Sequence, residues 1–426
     1  MRPGDRVTLV VERPAAGGRM IARHEGGIVL VAAAIPGEKV EATVEKVQRG
    51  TVWARTTRVL ERSTDRVKDR GDWSCGGNVF AHVAYDRQLV LKQEIIRDAF
   101  ARIARLPMAD PPSITGSKRE GYRMRARLHV KNGRIGFFRE GSHDLCDPAP
   151  TRQLLDSTVE SLRELEVKIR ELPRAEVAEV EISENLAGDQ RAVHLDLAAT
   201  ADPSRLGSIG TINGTTGLSC SIGASHHATV LSGSPFVVDD LGVAAMEKTV
   251  TIPIERHARS FFQGNRFLLT DLIAAVIELV PAGPVLDLYA GVGLFSVALA
   301  ARGDAHVIAI EGDRWAAHDL KRNAARMGSA IAPRHQSVET FLSVESATRV
   351  QTVVVDPPRT GLSKEAIAGT IALGPPRIVY VSCDVATLAR DARILIDSGY
   401  QRHTVRGFDL FPNTAHVETI AVFDRT

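Results

Sequence analysis

Two runs near the C-terminus each place a reactive side chain beside an apolar segment. Cys383 follows RIVYVS directly and precedes a helical stretch through Leu388 and Arg390. A thiol at a helix N-terminus has its thiolate favoured by the helix dipole and by free N–H groups, whereas a lone cysteine is otherwise a small core residue. Glu418 opens the closing run, and a buried acid at a sheet rim can serve as a general base with its pKa set by its neighbours. His416, two residues earlier, competes for that role or serves as a cap.

Three further segments look built to hold a ligand. Asp356-Pro357-Pro358-Arg359 follows the run TVVVD. Paired prolines after a strand make a stiff, extended exit without N–H donors, which fixes the Asp356 carboxylate in space. Arg359 suits a phosphate contact or a surface ion pair. The run PVLDLY leads into Ala290-Gly291-Val292-Gly293 and then a helix, where glycines let a ligand approach the backbone. Glu311 ends the next strand, placed to accept hydrogen bonds from ribose hydroxyls. Ser296 could complete a dinucleotide fingerprint, so this loop alone leaves a nicotinamide cofactor open. In Phe261-Phe262-Gln263-Gly264-Asn265, an aromatic pair beside two amides suits base stacking and edge recognition, with core packing as the alternative.

These residues need a frame to position them. From about 251 to 426, apolar strands alternate with helices, the order of a mostly parallel, doubly wound α/β sheet whose ligands sit at the carboxyl ends of the strands. Residues 1–60 are short strands punctuated by Gly17-Gly18, Gly26-Gly27 and Pro36-Gly37, which suggests a small barrel of the oligonucleotide-binding (OB) type. Its excess of basic residues (among them Arg13, Arg19, Lys46, Arg49 and Arg58) points to RNA contact. Residues 61–250 form an α+β region without a readable motif. Within it a helix is predicted over 86–106, with Leu91, Ile95, Ala99 and Ile103 on one face.

Composition bounds the reading. The 426 residues are 44% hydrophobic and 24% charged with a net charge of +2, which fits a soluble protein of two or three domains and requires any basic surface to be local. No run is long and apolar enough for a membrane span, and the first residues lack a signal-peptide core, so a cytoplasmic location is expected. The four cysteines lie far apart without a CxxC pair, and each is expected as a reduced thiol rather than a crosslink or zinc ligand.

SFFQGN, VLDLYAGVGLFS, VVVDPPRTGL, IVYVSCDVATLARD and FDLFPNTAHVE, in this order, resemble the RNA uridine-5-methyltransferase family. Residues 1–60 resemble its TRAM barrel. The resemblance spans the chain and implies a Rossmann-like methyltransferase domain with S-adenosylmethionine as cofactor and structured RNA as partner. No obligate protein partner is inferred. By position it makes Cys383 the nucleophile and Glu418 the base. It makes Gln263, Tyr289, Glu311 and Asp356 cofactor or uracil contacts, with Gly291 and Gly293 lining the cofactor loop. It also implies that the helix over 86–106 packs on the catalytic domain. A 23S rRNA target is favoured slightly over tRNA.

Many relatives carry an iron–sulfur cluster on four cysteines. Here that run reads DRGDWSCGGN: Cys75 remains, Asp69 and Asn78 stand at the flanking ligand positions, and the fourth position falls near Thr151. The cluster is therefore expected to be absent, with no other metal in its place. Two other functions compete: a base N-methyltransferase, which would leave Cys383 and Glu418 idle, and an RNA-binding assembly factor with vestigial catalysis.

Overall fold

The computed structural model describes residues 1–68, 72–172, 177–223, 225, 227–245, 248–344 and 349–426. Strands β1 (Arg6–Pro14), β2 (Met20–His24), β3 (Gly27–Ala32), β4 (Lys39–Gln48) and β5 (Thr51–Glu61) close into a barrel in the order β1-β2-β3-β5-β4. The alternation seen in the sequence is what closes it: Val7, Leu9 and Val11 point inward with Val40, Ala42 and Val44, while the intervening residues face out.

The helix α1 (Tyr85–Ala99) follows, continued by a single π-helical turn over Phe100–Ala104. The wider turn rotates the end of the helix, so Phe100 and Ala104 take the buried face and Ile103, expected there, is 42% exposed. One side of α1, with Leu91 and Ile95, enters the barrel core. Ile96 and Ala99 enter the core of the C-terminal sheet, and α1 packs on its last helix. A single upstream helix thus joins the two units.

Strand β6 (Ser113–Thr115) leaves for the C-terminal sheet. The central sheet is built from β7 (Arg125–Lys131), β8 (Arg134–Phe138), β9 (Leu145–Cys146), β10 (Val177–Glu184), β11 (Arg191–Leu197), β12 (Gly217–Ile222) and β13 (Thr229–Gly233), in the order β13-β12-β11-β10-β7-β8-β9. Helix α2 (Asp156–Glu171) supplies Leu162, Leu165 and Ile169 to the same core as Leu128, Val180 and Leu195. A hairpin of β14 (Phe236–Ala245) and β15 (Lys248–His257) contacts the C-terminal helices. The expected domain boundary at 251 falls within β15, and we count the hairpin with the catalytic unit.

The C-terminal unit runs α3 (Leu269–Leu279), β16 (Gly283–Leu288), α4 (Leu294–Arg302), β17 (Ala305–Glu311), α5 (Arg314–Ala325), β18 (Ile331–His335), α6 (Val338–Val344), β19 (Thr352–Val355), α7 (Lys364–Leu373), β20 (Arg377–Ser382), α8 (Val385–Asp397), β21 (Tyr400–Phe408) and β22 (Glu418–Arg425). Its sheet has the order β18-β17-β16-β19-β20-β22-β21-β6, parallel from β18 to β20 and antiparallel at β22. Both faces are covered: Val354 faces one core while Val353 and Val355 face the other. That double burial explains the unbroken apolar run. Strand order reverses between β16 and β19, which opens the ligand crevice at their carboxyl ends. Among the described residues, no helix is long and apolar enough to cross a membrane.

The cysteines differ from expectation. Cys75 and Cys146 form a disulfide across 71 residues of sequence, and only Cys220 and Cys383 are free among the described residues. Spacing alone hid the pair because hydrogen bonds from Gly76 N to Phe138 O and from Glu140 N to Ser74 O bring the loop beside β8 and β9. Cys146, rather than Thr151, therefore stands opposite Cys75. The Asn78 amide donates to the carbonyl of Asp72, and Asp69 lies outside the described residues. Two sulfurs bonded to each other do not fit an iron–sulfur cluster. Among the described residues no group of three or more His, Cys, Asp or Glu side chains could hold a metal ion.

Candidate active site

The two reactive side chains meet because two strands end together. β20 and β22 pair antiparallel with Ser382 opposite Thr419, so Cys383 and Glu418, one step further, leave the ladder at the same edge. Glu418 is 1% exposed, and its Oε1 has no hydrogen-bond partner. Burial, then the charge of Asp356, raises its carboxyl well above the ordinary range, with Arg359 opposing. Burial also pushes the Cys383 thiol up to about 12; Glu418 and Asp356 add to the rise, and Arg359 acts against it by charge and hydrogen bonding.

The helix N-terminus expected to favour the thiolate is already occupied. Asp384 caps α8, accepting from Ala386 N at 3.0 Å and Thr387 N at 2.9 Å. A side-chain carboxylate there uses the N–H groups that a thiolate would have used. The positive group nearest the thiol is instead Arg359, from the Pro-Pro turn after β19. The sequence offered it only as a phosphate contact or surface ion pair.

Asp356 accepts from Gln263 Nε2 at 3.0 Å, and burial together with Asp287 pushes its carboxyl up to about 7. Asp287, inside β16, is likewise raised to about 7 by burial, although Ser296 Oγ donates to it at 2.5 Å. Ser296, which was a possible third fingerprint residue, is thereby engaged with a buried acid. Glu311 accepts from Gly291 N at 2.7 Å and Asp313 N at 2.6 Å. Tyr289 takes a left-handed backbone with φ 62°, turning the chain into the glycine loop.

The two glycines do different work. A Cβ at Gly293 would meet Leu320 at 2.8 Å, so this position sets how closely α4 and α5 pack. A Cβ at Gly291 would meet nothing within 4 Å, so its loop faces open space.

The Phe-Phe-Gln-Gly-Asn segment divides. Phe262 is core, under the Arg256 guanidinium at 4.0 Å, whereas Phe261 is 59% exposed. Asn265 is fully buried and spent on the fold. It donates to Ser117 Oγ and Leu410 O and accepts from the amides of Phe267 and Leu268 ahead of α3. Of the two amides only Gln263 reaches the acid cluster.

His416 turns away to line a neighbouring cavity, and burial together with Arg359 lowers its pKa to about 4, so it is neutral. The loop carrying it is gripped by α1. Lys92 is ion-paired with Asp409 and donates to Phe411 O, Tyr85 OH donates to Asp409 at 2.8 Å, and Gln88 exchanges hydrogen bonds with Asn413. Tyr85, Gln88 and Lys92 lie at helical spacing on one face. Polar residues at that spacing read as a solvated stripe, which is why the sequence did not reveal the grip.

The buried acids Asp287, Glu311 and Asp356 have no cation among the charges acting on them, and Asp287 Oδ1 has no hydrogen-bond partner, which fits a positively charged ligand. Glu311 beside an open glycine loop fits a ribose. S-adenosylmethionine, a cationic nucleoside sulfonium, has both features.

Known proteins agree with this frame. The family model for tRNA (uracil-5-)-methyltransferase matches residues 341–426, and that for the TRAM domain matches residues 2–56. The 23S rRNA (uracil(1939)-C(5))-methyltransferases RlmD of Halomonas elongata and Methylococcus capsulatus are each 32% identical. The alignments cover 98% and 99% of this chain and 89% and 98% of the relatives. The crystal structure of Pyrococcus abyssi tRNA (uracil-54, C5)-methyltransferase with S-adenosyl-L-homocysteine superposes with a TM-score of 0.73 over 98% of this chain and 100% of that one, at 23% identity. The chain belongs to the S-adenosylmethionine-dependent RNA (uracil-C5)-methyltransferase family.

Proposed function

We propose that this enzyme methylates carbon 5 of a uridine in 23S rRNA through a covalent bond between Cys383 Sγ and carbon 6 of the ring. The observation that carries the reading is the meeting of Cys383 and Glu418 at the paired ends of β20 and β22, where the charges of Arg359 and Asp356 act on both.

Carbon 5 of uracil is a poor nucleophile until a thiolate adds to carbon 6 and moves the ring electrons onto the carbonyl oxygen. Arg359 stabilises the thiolate that Glu418 and Asp356 oppose. Glu311, Gln263, Asp356 and the Gly291 loop would hold S-adenosylmethionine, whose sulfonium would give up its methyl group to carbon 5 and leave as S-adenosylhomocysteine. Glu418 then takes the proton from carbon 5, the ring double bond re-forms, and Cys383 leaves as the thiolate. Its raised pKa suits a base that must accept a proton from carbon in a dry site. The uridine must be unstacked to reach this rim, so structured RNA with a loop or flipped base is the partner. The target class follows the relatives aligned over nearly the whole chain, both of them 23S rRNA enzymes.

Incubating the purified protein with labelled S-adenosylmethionine and either transcribed 23S rRNA or bulk tRNA tests this. Label in 5-methyluridine of the 23S transcript is expected; label in tRNA alone would reassign the substrate.

A further inference from the structure

A cavity of about 340 Å³ opens where the barrel, the central sheet and the catalytic rim meet. Cys383, Glu418 and Asp356 are not among its lining residues, but Arg359 and His416 are, so it adjoins the reacting site without being part of it. Its volume is at the small end of ligand pockets, the size for one nucleobase rather than a large cofactor.

The walls have the chemistry of base recognition. His129 and Phe138 stack face to face with ring centres 3.6 Å apart and planes at 6°, and His143 stands edge-on to Phe138, so a further planar ring continues the stack on an outer face of the pair. Arg123 sits 5.2 Å above the Phe137 ring and donates to Gln153 Oε1, and Arg127, paired with Glu179, adds a second guanidinium. Arg127 and His129 stand on one face of β7 because strand residues alternate, while Ala126 and Leu128 fill the core behind them. Glu140 accepts from Arg19 through Oε1, which leaves Oε2 to accept from a ligand. Among the described residues, neither ring nitrogen of His416 has a hydrogen-bond partner. The opposite wall is the backbone of Gly76 and Gly77, where a Cβ on Gly77 would collide with Gln153 at 2.4 Å.

We propose that this cavity takes a second, unstacked base of the RNA, next to the target uridine. It stacks on the Phe138–His129 platform, its phosphate lies on Arg123, Arg127 and Arg359, and an exocyclic amine donates to Glu140. Aromatic and guanidinium planes beside positive charge are the usual means of holding an unpaired base. The enzyme would then choose its uridine partly by its neighbour. This rests on the reading of the chain as an RNA methyltransferase acting near Cys383.

The test uses the full-length protein and a transcript of the 23S rRNA stem-loop around uridine 1939, the position in the relatives' names. Flanking nucleotides are made abasic one at a time. At one position KM should rise about tenfold with kcat nearly unchanged, the size expected for one lost stack. In Phe138→Ala and His129→Ala, KM for the intact transcript should rise by a similar factor and the abasic replacement should add nothing more. Glu140→Gln should weaken discrimination between uracil and amine-bearing bases there. A 2-aminopurine at that position should be quenched on binding wild type but not the two variants. That readout needs no catalysis, so a transcript that binds but is not methylated counts against the proposed substrate alone. Melting curves identify a variant that fails to fold, and the half-buried His129 position serves if Phe138→Ala does. Equal quenching in wild type and both variants, or an undiminished abasic penalty in them, would overturn the proposal.

Discussion

The Cys383 thiol is held in check by its surroundings. With its pKa near 12 against 9.0 for an ordinary thiol, the free enzyme carries on the order of a thousandfold less thiolate at neutral pH than an exposed cysteine would. Its alkylation by iodoacetamide should therefore be slow and keep rising with pH beyond 9, without a plateau. Glu418→Gln removes a carboxyl whose ionised form opposes the thiolate, so the thiol pKa should fall and alkylation quicken at the alkaline end of the profile, where Glu418 would be charged. Arg359→Ala removes the opposing cation and should slow it. Mass spectrometry of the Cys383 peptide against time measures both, and a wild-type plateau below pH 8 would contradict the electrostatic picture. Cys383, Glu418 and Asp356 were legible as candidates because each stands at a strand end, and Gln263 because it is an amide beside an aromatic pair. Their charge states were not, since those depend on burial and on neighbours 24 to 93 residues away in the chain.

At the scale of elements, the grip of α1 on the loop 409–416 ties the segment leading into Glu418 to a helix more than 300 residues upstream. Lys92 and Asp409 are both fully buried, and breaking such a pair leaves an uncompensated charge, at a cost of roughly 3–5 kcal/mol. Lys92→Met should lower the urea midpoint by a corresponding amount and reduce methylation. Adding Asp409→Asn should recover much of both; equal losses in the single and double variants would mean that the pair is not coupled. The Cys75–Cys146 disulfide is a second tie between distant segments. For a loop of 71 residues the chain-entropy estimate is about 4 kcal/mol, so reduction or Cys75→Ser should lower the midpoint markedly. A single reduced thiol mass for both cysteines in the freshly purified protein would remove this tie from the account. The helix α1 itself was visible from its apolar spacing. Its polar face and the disulfide were not, because their partners come together only in the folded chain.

At the scale of the molecule, the barrel and the doubly wound sheet were both legible from strand spacing and from unbroken apolar runs. That α1 packs on the C-terminal sheet was implied by the resemblance, but that the same helix also enters the barrel core was not legible. Several of the barrel's basic residues are spent internally: Arg13 pairs with Asp98, Arg19 with Glu45 and Glu140, Arg23 with Glu12, Lys39 with Glu61 and Arg55 with Glu45. Exposed Lys46, Arg49 and Arg58 remain for phosphates. Replacing these three with alanine should weaken RNA binding and flatten its dependence on log salt by about 2, while leaving S-adenosylmethionine affinity unchanged. An unchanged slope, read by filter binding at several salt concentrations, would place the RNA elsewhere.

The proposed reaction turns on one covalent step, and trapping it is the most direct test. Glu418→Gln keeps the shape of the buried side chain but cannot take the carbon-5 proton. Incubated with RNA and methyl-labelled S-adenosylmethionine, it should accumulate methylated RNA bound to Cys383, a labelled band that survives denaturation and is absent from Cys383→Ala. Normal turnover of Glu418→Gln without an adduct, or any methylation by Cys383→Ala, would contradict the mechanism.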